Sequence, residues 1–243
     1  MSLSLIELYS HPPVNRISEF GDFAKQLDVA EVIKKYRALV QCAPHRHETG
    51  KRYFVESHDW FIGHKNSNRK EEHLAGAIFN ACKSGETVKL PDGRKLDIID
   101  YQFPLKTRQG DKGIGKVDLF GVIDSHIPCV IELKVAGKKG RKPDTPLRAF
   151  LEGLAYCAIV ESNMSAITHE AKTNFGLKFK KPRPHLMVLA PENYWDYYVG
   201  KKAAGDWAQA LKNIINEVSQ QLKIQIQFLS IENAEFDWGE GQL

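Results

Sequence analysis

The stretches KVDLFG at positions 116–121 and IELKV at positions 131–135 decide the fold. Both are rich in β-branched and large apolar residues, which predicts two neighbouring strands. Each nevertheless carries charge within its apolar run, namely Asp118 in the first, and Glu132 and Lys134 in the second. Charged side chains are almost never buried unless they are paired or bind a metal. Because side chains alternate along a strand, Glu132 and Lys134 share one face, where they and Asp118 can hold a divalent cation and a water molecule.

The residues Asp118, Glu132 and Lys134 resemble the signature of the PD-(D/E)XK nuclease superfamily, which has the restriction-endonuclease-like fold. Val117 stands where the family name has Pro. The alternative interpretation is a cross-strand ion pair on a solvated sheet face, since such pairs are common and contribute little stability.

The resemblance implies an α/β fold, with a central mixed β-sheet flanked by helices in the order α-β-β-β-α-β. Hydrophobic periodicity predicts elements in that order, with a further helix before the last strand. The predicted helices are 68–84, 146–161 and 206–222, and the predicted strands are 96–103, 116–121, 131–135, 184–190 and 224–231. The nuclease-like domain is therefore predicted at 67–243, after a mostly helical N-terminal extension at 1–66. That extension recognises substrate, forms a homodimer, or only covers the core.

The first predicted helix carries an acidic residue on its apolar side. At about 100° per residue, Glu71 projects to the middle of the stripe formed by residues such as Leu74 and Ile78, and Glu72 projects to its edge. The resemblance implies that a Glu on this helix lies near the metal, which favours Glu71. The alternative is that Glu71 only interacts with the helix dipole.

The helix 146–161 carries Arg148, Glu152 and Tyr156 on one face, because they are spaced four residues apart. The arrangement is similar to the Gln-x-x-x-Tyr of RecB-like members of the superfamily, with Glu152 in the place of Gln. Glu152 then orients Lys134, contacts the substrate through water, or simply pairs with Arg148.

The resemblance also implies the cofactor and the reaction. Carboxylate oxygens suit Mg²⁺, with Mn²⁺ as a substitute. The implied metal ligands are Asp118, Glu132, Glu71 and the backbone carbonyl of Leu133. Lys134 holds or deprotonates the attacking water, and hydrolysis leaves a 5′-phosphate and a 3′-hydroxyl. The expected activity is that of a Mg²⁺-dependent deoxyribonuclease, with endonuclease action favoured over exonuclease action.

Basic residues cluster beside these positions, as expected for a polyanionic substrate. Double-stranded DNA is the expected partner, and RNA stays an open alternative. The predicted substrate-binding residues are Lys116, Lys138, Lys139, Arg141, Arg148, Glu152 and Tyr156. Two other functions are compatible with the same residues: a non-catalytic nucleic-acid-binding or assembly protein on this fold, and an unrelated α/β protein whose charges form a surface network.

Composition sets broader bounds. The 243 residues are 42% hydrophobic and 26% charged with a net charge of +4, which is ordinary for a globular protein. The four cysteines form no C-x-x-C pair, which favours a reducing compartment, and the absence of a signal peptide or a long apolar run predicts a cytoplasmic protein without membrane contact. A zinc site built from Cys42, His45 and His47 is a further alternative.

Overall fold

A mixed β-sheet with helices on both faces forms the centre of the molecule. The computed structural model describes residues 3–55, 58–63, 69–136, 142–199 and 207–231. The strands are β1 Val88–Lys89, β2 Lys95–Pro104, β3 Lys116–Ile123, β4 Ile127–Leu133, β5 His185–Ala190 and β6 Ile226–Ser230. They lie in the order β1-β2-β3-β4-β5-β6, antiparallel from β1 to β4 and parallel from β4 to β6. The predicted α/β class with a mixed sheet is confirmed.

The helices come from both ends of the chain. They are α1 Leu5–Tyr9, α2 Pro12–Asn15, α3 Phe20–Gln26, α4 Val29–Cys42, α5 Lys70–Lys83, α6 Pro146–Ser162, α7 Met164–Phe175, α8 Glu192–Val199 and α9 Trp207–Leu222, with a 3₁₀ helix at Arg46–Thr49. In the described ranges, none of them has the length and apolar character that crossing a membrane requires.

A tight hairpin brings the two decisive stretches together. The pair Ile123–Ile127 closes a turn in which Asp124 and Ser125 both have positive φ, at 49° and 62°. Short polar residues tolerate this left-handed backbone better than β-branched residues do. The predicted pairing of 116–121 with the strand that carries Glu132 is therefore confirmed.

The two faces of the sheet have separate hydrophobic cores. Helix α5 packs Leu74 and Ile78 onto one face, against residues such as Leu119 and Ile131. Helix α6 packs onto the other face, where Phe120 is buried. Helices α1 and α4 contact α6, and α3 contacts α9, so α1–α4 share this second core. Residues 1–66 were expected to recognise the substrate, to form a homodimer, or only to cover the core. The packing of α1–α4 against α6 and α9 is that of a segment that covers the core.

Most element boundaries after residue 66 fall within three residues of those predicted. The strand predicted at 131–135 begins earlier, at Ile127, and ends at Leu133, so Lys134 lies one residue beyond it. The Lys134 N–H still donates to the Leu189 carbonyl at 3.0 Å, which continues the line of the strand. Residues 68, 206 and 232–243 lie outside the described ranges. In the described part of 67–243, three elements were not predicted, namely β1, α7 and α8.

Acid is expected to destabilise the protein through His185, the first residue of β5. Burial, with smaller effects from Lys181 and Arg94, lowers the pKa of His185 to about 4. A group whose folded pKa is depressed below the unfolded value of about 6.5 takes up its proton preferentially in the unfolded chain. Stability from this residue is thus complete above about pH 6.5 and falls as the pH decreases toward 4, by about 2 kcal/mol between pH 7 and pH 5.

The measurement is urea unfolding at pH 7 and pH 5 for the wild type and for His185→Leu. Carboxyl groups that titrate in the same range contribute equally to both proteins, so the difference between the two pH dependences isolates His185. Equal pH dependences would contradict the assignment.

Candidate functional site

The hairpin places two carboxylates beside each other at one end of the sheet. The pairs Leu119–Ile131 and Phe120–Val130 set the register that makes Asp118 and Glu132 neighbours across β3 and β4. The Leu133 N–H donates to Asp118 Oδ2 at 2.9 Å, and Gln102 Nε2 donates to Asp118 Oδ1 at 3.2 Å. These two bonds fix the orientation of the Asp118 carboxylate, and each oxygen retains a lone pair for a further ligand.

Gln102 is a site residue that the sequence pattern did not single out. It lies in β2 with φ 48°, in the left-handed region that non-glycine residues rarely adopt. Strained backbone of this kind persists where surrounding structure holds it, and it is concentrated at functional sites. Here the unusual conformation accompanies the hydrogen bond to Asp118.

Lys134 is a buried ammonium held by Glu132. Its side chain is 3% exposed, and Nζ lies 2.7 Å from Glu132 Oε1. The same Nζ is 3.9 Å from both Asp144 Oδ2 and Glu152 Oε2. Burial opposes its charge, but Glu132, Glu71 and Glu152 outweigh that effect and hold the pKa of Lys134 well above its usual value. Lys134 is therefore protonated at neutral pH.

Helix α6 contributes the groups that surround Lys134. Arg148 Nε lies 3.4 Å from Asp144 Oδ2 and 3.6 Å from Glu152 Oε2. The Tyr156 hydroxyl donates to Glu152 Oε1 at 3.0 Å. The predicted shared face of Arg148, Glu152 and Tyr156 is therefore confirmed, and Glu152 contacts both Arg148 and Lys134. Asp144, just before α6, is an additional carboxylate of the site, and Thr145 caps the helix.

Glu71 reaches the same place from α5, on the opposite face of the sheet. Its carboxylate accepts a hydrogen bond from the Val135 N–H and is close enough to Lys134 to interact electrostatically. Glu72 instead pairs with Arg69 at 3.1 Å at the surface. The projection from helical spacing therefore selected the residue of α5 that joins the cluster.

The cluster, defined as Glu71, Asp118, Glu132, Lys134, Asp144, Arg148 and Glu152, has a surplus of negative charge. Among the described residues, five carboxyl groups face two cations. Burial raises the pKa of Asp118 to about 7, and it raises the pKa of Glu132 well above its usual value, although Lys134 opposes both shifts. Carboxyl groups in such surroundings ionise readily only when more positive charge is supplied.

One carboxylate oxygen of the cluster, Oε2 of Glu132, lacks a hydrogen-bond donor among the described residues. Glu132 is 3% exposed. A buried carboxylate oxygen without a partner is costly, and hard oxygen donors are the ligands that Mg²⁺ and Mn²⁺ prefer. Glu132, Asp118 and Glu71 supply oxygen ligands of this kind, but among the described residues only His45, His47 and Glu48 form a group whose ligand atoms all lie within 4.8 Å of one another. The Leu133 N–H faces Asp118, and a ligand role for the Leu133 carbonyl stays a prediction.

The residues predicted to bind the substrate differ from one another in exposure to solvent. Lys116 is exposed at the start of β3, two residues from Asp118. Arg148 is half-buried, and Tyr156 is buried with its hydroxyl against Gly115, where a Cβ would collide with it. Tyr156 thus supports Glu152 from inside the protein. The predicted contacts of Lys138, Lys139 and Arg141 lie outside the described residues.

Asn15, at the end of α2, connects the N-terminal region to the site by hydrogen bonds. Asn15 Nδ2 donates to Asp144 Oδ1 at 2.7 Å, and Asn15 Oδ1 accepts from the Thr145 N–H at 2.9 Å. Thr145 Oγ1 also donates to the Val14 carbonyl at 2.5 Å. One amide therefore ties α2 both to a carboxylate of the cluster and to the start of α6.

Replacing Asn15 by Ala is expected to lower the free energy of unfolding by about 1–3 kcal/mol, because the Thr145 N–H loses its acceptor and Asp144 loses a donor. The matched control is Asn213→Ala on the exposed side of α9, which is expected to cost less than about 0.5 kcal/mol. Urea unfolding measures both, and an equal effect of the two substitutions would contradict the bracing role of Asn15.

Comparison of the chain with protein-family models, with curated proteins and with solved structures finds no significant match.

Proposed function

We propose that the protein is a metal-dependent nuclease with a restriction-endonuclease-like core, of the PD-(D/E)XK class. The observation that carries the proposal is the unpartnered Oε2 of buried Glu132, next to Asp118 and to the ammonium of Lys134. The alternative explanation of the motif is an ion pair at the surface. Such a pair does not account for a glutamate and a lysine that are each only 3% exposed.

The order of elements supports the same proposal. Helix α5 is followed by the antiparallel strands β2, β3 and β4, then by α6, and then by β5 parallel to β4. The resemblance implies this order for the core. Helix α7 is added after α6, and helices α8 and α9 lie between β5 and β6.

Asp118, Glu132 and Glu71 would hold the metal ion, with the Leu133 carbonyl as a further candidate. When bound, Mg²⁺ polarises the phosphate and makes a water molecule more acidic. Two of these carboxylates would already be oriented for the ion, because Gln102 and the Leu133 N–H hold Asp118 and the Val135 N–H holds Glu71. These hydrogen bonds would organise the site before the substrate arrives.

Of the two roles weighed for Lys134, we propose that it holds the attacking water and does not deprotonate it. Its raised pKa keeps it protonated, so it can donate hydrogen bonds and offset negative charge on the phosphate in the transition state. Glu152 and Asp144 restrict where the ammonium can lie, and Arg148 and Tyr156 in turn hold Glu152. We assign Glu152 the role of positioning Lys134.

Double-stranded DNA is the proposed substrate, cleaved internally. Lys116 is exposed on the strand that carries Asp118, and the sequence continues from Lys134 into a segment rich in Lys and Arg. Positive side chains beside a metal site attract a phosphate backbone without reading sequence.

Incubation of the purified protein with supercoiled plasmid tests the proposal, in Mg²⁺, Mn²⁺ or EDTA. Nicked and linear products that require the metal are expected, with 5′-phosphate ends. No cleavage of plasmid, linear duplex or single-stranded RNA with any metal would reject the nuclease. Salt-dependent DNA binding without cleavage would select the non-catalytic binding protein instead.

A further inference from the structure

A second group of metal-ligand side chains lies on the 3₁₀ helix that follows α4. The ligand atoms of His45, His47 and Glu48 all lie within 4.8 Å of one another. None of these residues belongs to the carboxylate cluster. We propose that they bind a divalent transition-metal ion such as Zn²⁺, in a site that stabilises the protein and takes no part in hydrolysis.

The donor set determines the kind of ion. Two imidazoles with one carboxylate suit Zn²⁺, Ni²⁺ or Cu²⁺, whereas Mg²⁺ prefers oxygen ligands alone. Zn²⁺ with three protein ligands takes water as its fourth ligand. His47 and Glu48 are exposed and His45 is half-buried, so both water and the ion can reach the site.

The side chains of His45 and Glu48 are not hydrogen-bonded to each other. His45 Nδ1 lies 3.9 Å from Glu48 Oε1, which is beyond hydrogen-bond distance. The rings of His45 and His47 have centroids 5.8 Å apart, inclined at 73°. Their ring atoms can therefore face a common point without stacking on each other.

Arg46 holds the backbone of this helix in place. Its Nε donates to the Arg52 carbonyl and its Nη1 to the Lys106 carbonyl, both at 2.6 Å. Its N–H donates to the Tyr53 hydroxyl at 3.0 Å, and that hydroxyl donates to Asn163 Oδ1 at 2.5 Å. Because the residue between the two histidines is anchored on both main chain and side chain, the ion would meet ligands that are already arranged.

Cys42, which the sequence placed in a possible zinc site with these histidines, is not part of the group. It is the last residue of α4 and is exposed, and Glu48 stands in its place as the third ligand. The difference arises because the chain leaves the helix at Ala43 in an extended conformation before the 3₁₀ turn begins.

The ion would reinforce a junction between distant parts of the chain. His47 also lines a cleft of about 300 Å³ with His169 and Glu170 of α7. Glu170 accepts hydrogen bonds from the N–H groups of Tyr53 and Phe54, at 2.8 Å and 3.1 Å. Binding to the folded state alone raises stability in proportion to the logarithm of ion concentration, so Zn²⁺ should raise the unfolding temperature.

Zn²⁺ titration by calorimetry tests the proposal, with excess Mg²⁺ present and with every protein carrying Glu132→Gln to weaken the carboxylate cluster. The expected result is one Zn²⁺ per chain in the parent, with affinity reduced at least tenfold by His47→Asn and also reduced by Glu48→Gln. His126→Asn, a histidine of the β3–β4 turn, should bind as the parent does. Zn²⁺ should raise the unfolding temperature of the parent and not that of His47→Asn.

Absence of Zn²⁺ binding in the parent, or parental affinity in His47→Asn, would overturn the proposal. Cys42→Ser distinguishes the proposed ligand set, which contains Glu48, from the set with Cys42 that the sequence suggested. It should leave the Zn²⁺ affinity unchanged. A loss in Cys42→Ser with none in Glu48→Gln would also overturn it. The unfolding temperatures without Zn²⁺ show whether each variant folds. Apart from Glu132→Gln, which all the proteins share, the substituted groups lie at the surface or are only half-buried.

Discussion

Replacement of Glu132 by Gln is expected to reduce metal-dependent cleavage by about 10³-fold or more, because the amide removes the anionic ligand with the unpartnered oxygen. The fold should persist, since Gln has nearly the same volume. Lys134 still faces Glu71, Asp118, Asp144 and Glu152 after the change. The free energy of unfolding should therefore stay within about 1 kcal/mol of the wild type, or rise, because a costly buried charge is gone.

Single-turnover cleavage of plasmid and urea unfolding measure the two effects separately. The matched control is Glu86→Gln, which removes an exposed carboxylate after the end of α5 and should leave both quantities unchanged. Cleavage by Glu132→Gln at the wild-type rate would reject the site assignment, whatever the stability of the variant.

Replacement of Lys134 by Met is expected to have two large effects with one cause. The buried carboxylates lose their central cation, so the free energy of unfolding without metal should fall by about 3–5 kcal/mol. Hydrolysis should fall by about 10²–10⁴-fold, because no ammonium remains to hold the water or offset charge. Metal binding should survive, since the carboxylates remain, and Mg²⁺ should restore part of the lost stability.

The control for this substitution is Lys89→Met, which removes an exposed lysine of β1. It should change neither stability nor turnover beyond about 0.5 kcal/mol or twofold. Turnover by Lys134→Met equal to that of the control would refute the role of Lys134, and unchanged stability would show that its ammonium does not neutralise the cluster.

Local patterns predicted the framework because they depend on neighbours along the chain. Alternation placed Glu132 and Lys134 on one face, and helical spacing selected Glu71 over Glu72. The spacing of four residues also placed Glu152 with Arg148 and Tyr156. Each of these inferences required only the periodicity of side chains along a single strand or helix.

The rest of the site depends on contacts between distant residues, which no period shows. Asp144 joins the cluster because Asn15, in a helix far away in sequence, orients it. Gln102 holds Asp118 from a backbone conformation that strand patterns do not predict. Cys42 lies outside the histidine group because the turn after α4 brings Glu48 to His45 and His47 instead.

Mn²⁺ titration tests whether the carboxylate cluster is a divalent-metal site, and it does so without the choice of a substrate. Calorimetry or electron paramagnetic resonance would compare the wild type with Glu132→Gln, both carrying His47→Asn so that the histidine group does not contribute. We expect Mn²⁺ to bind the wild type in competition with Mg²⁺, and we expect Glu132→Gln to weaken that binding by at least about tenfold, or about 1.4 kcal/mol. Mn²⁺ binding of equal strength in both proteins, or none in either, would contradict it.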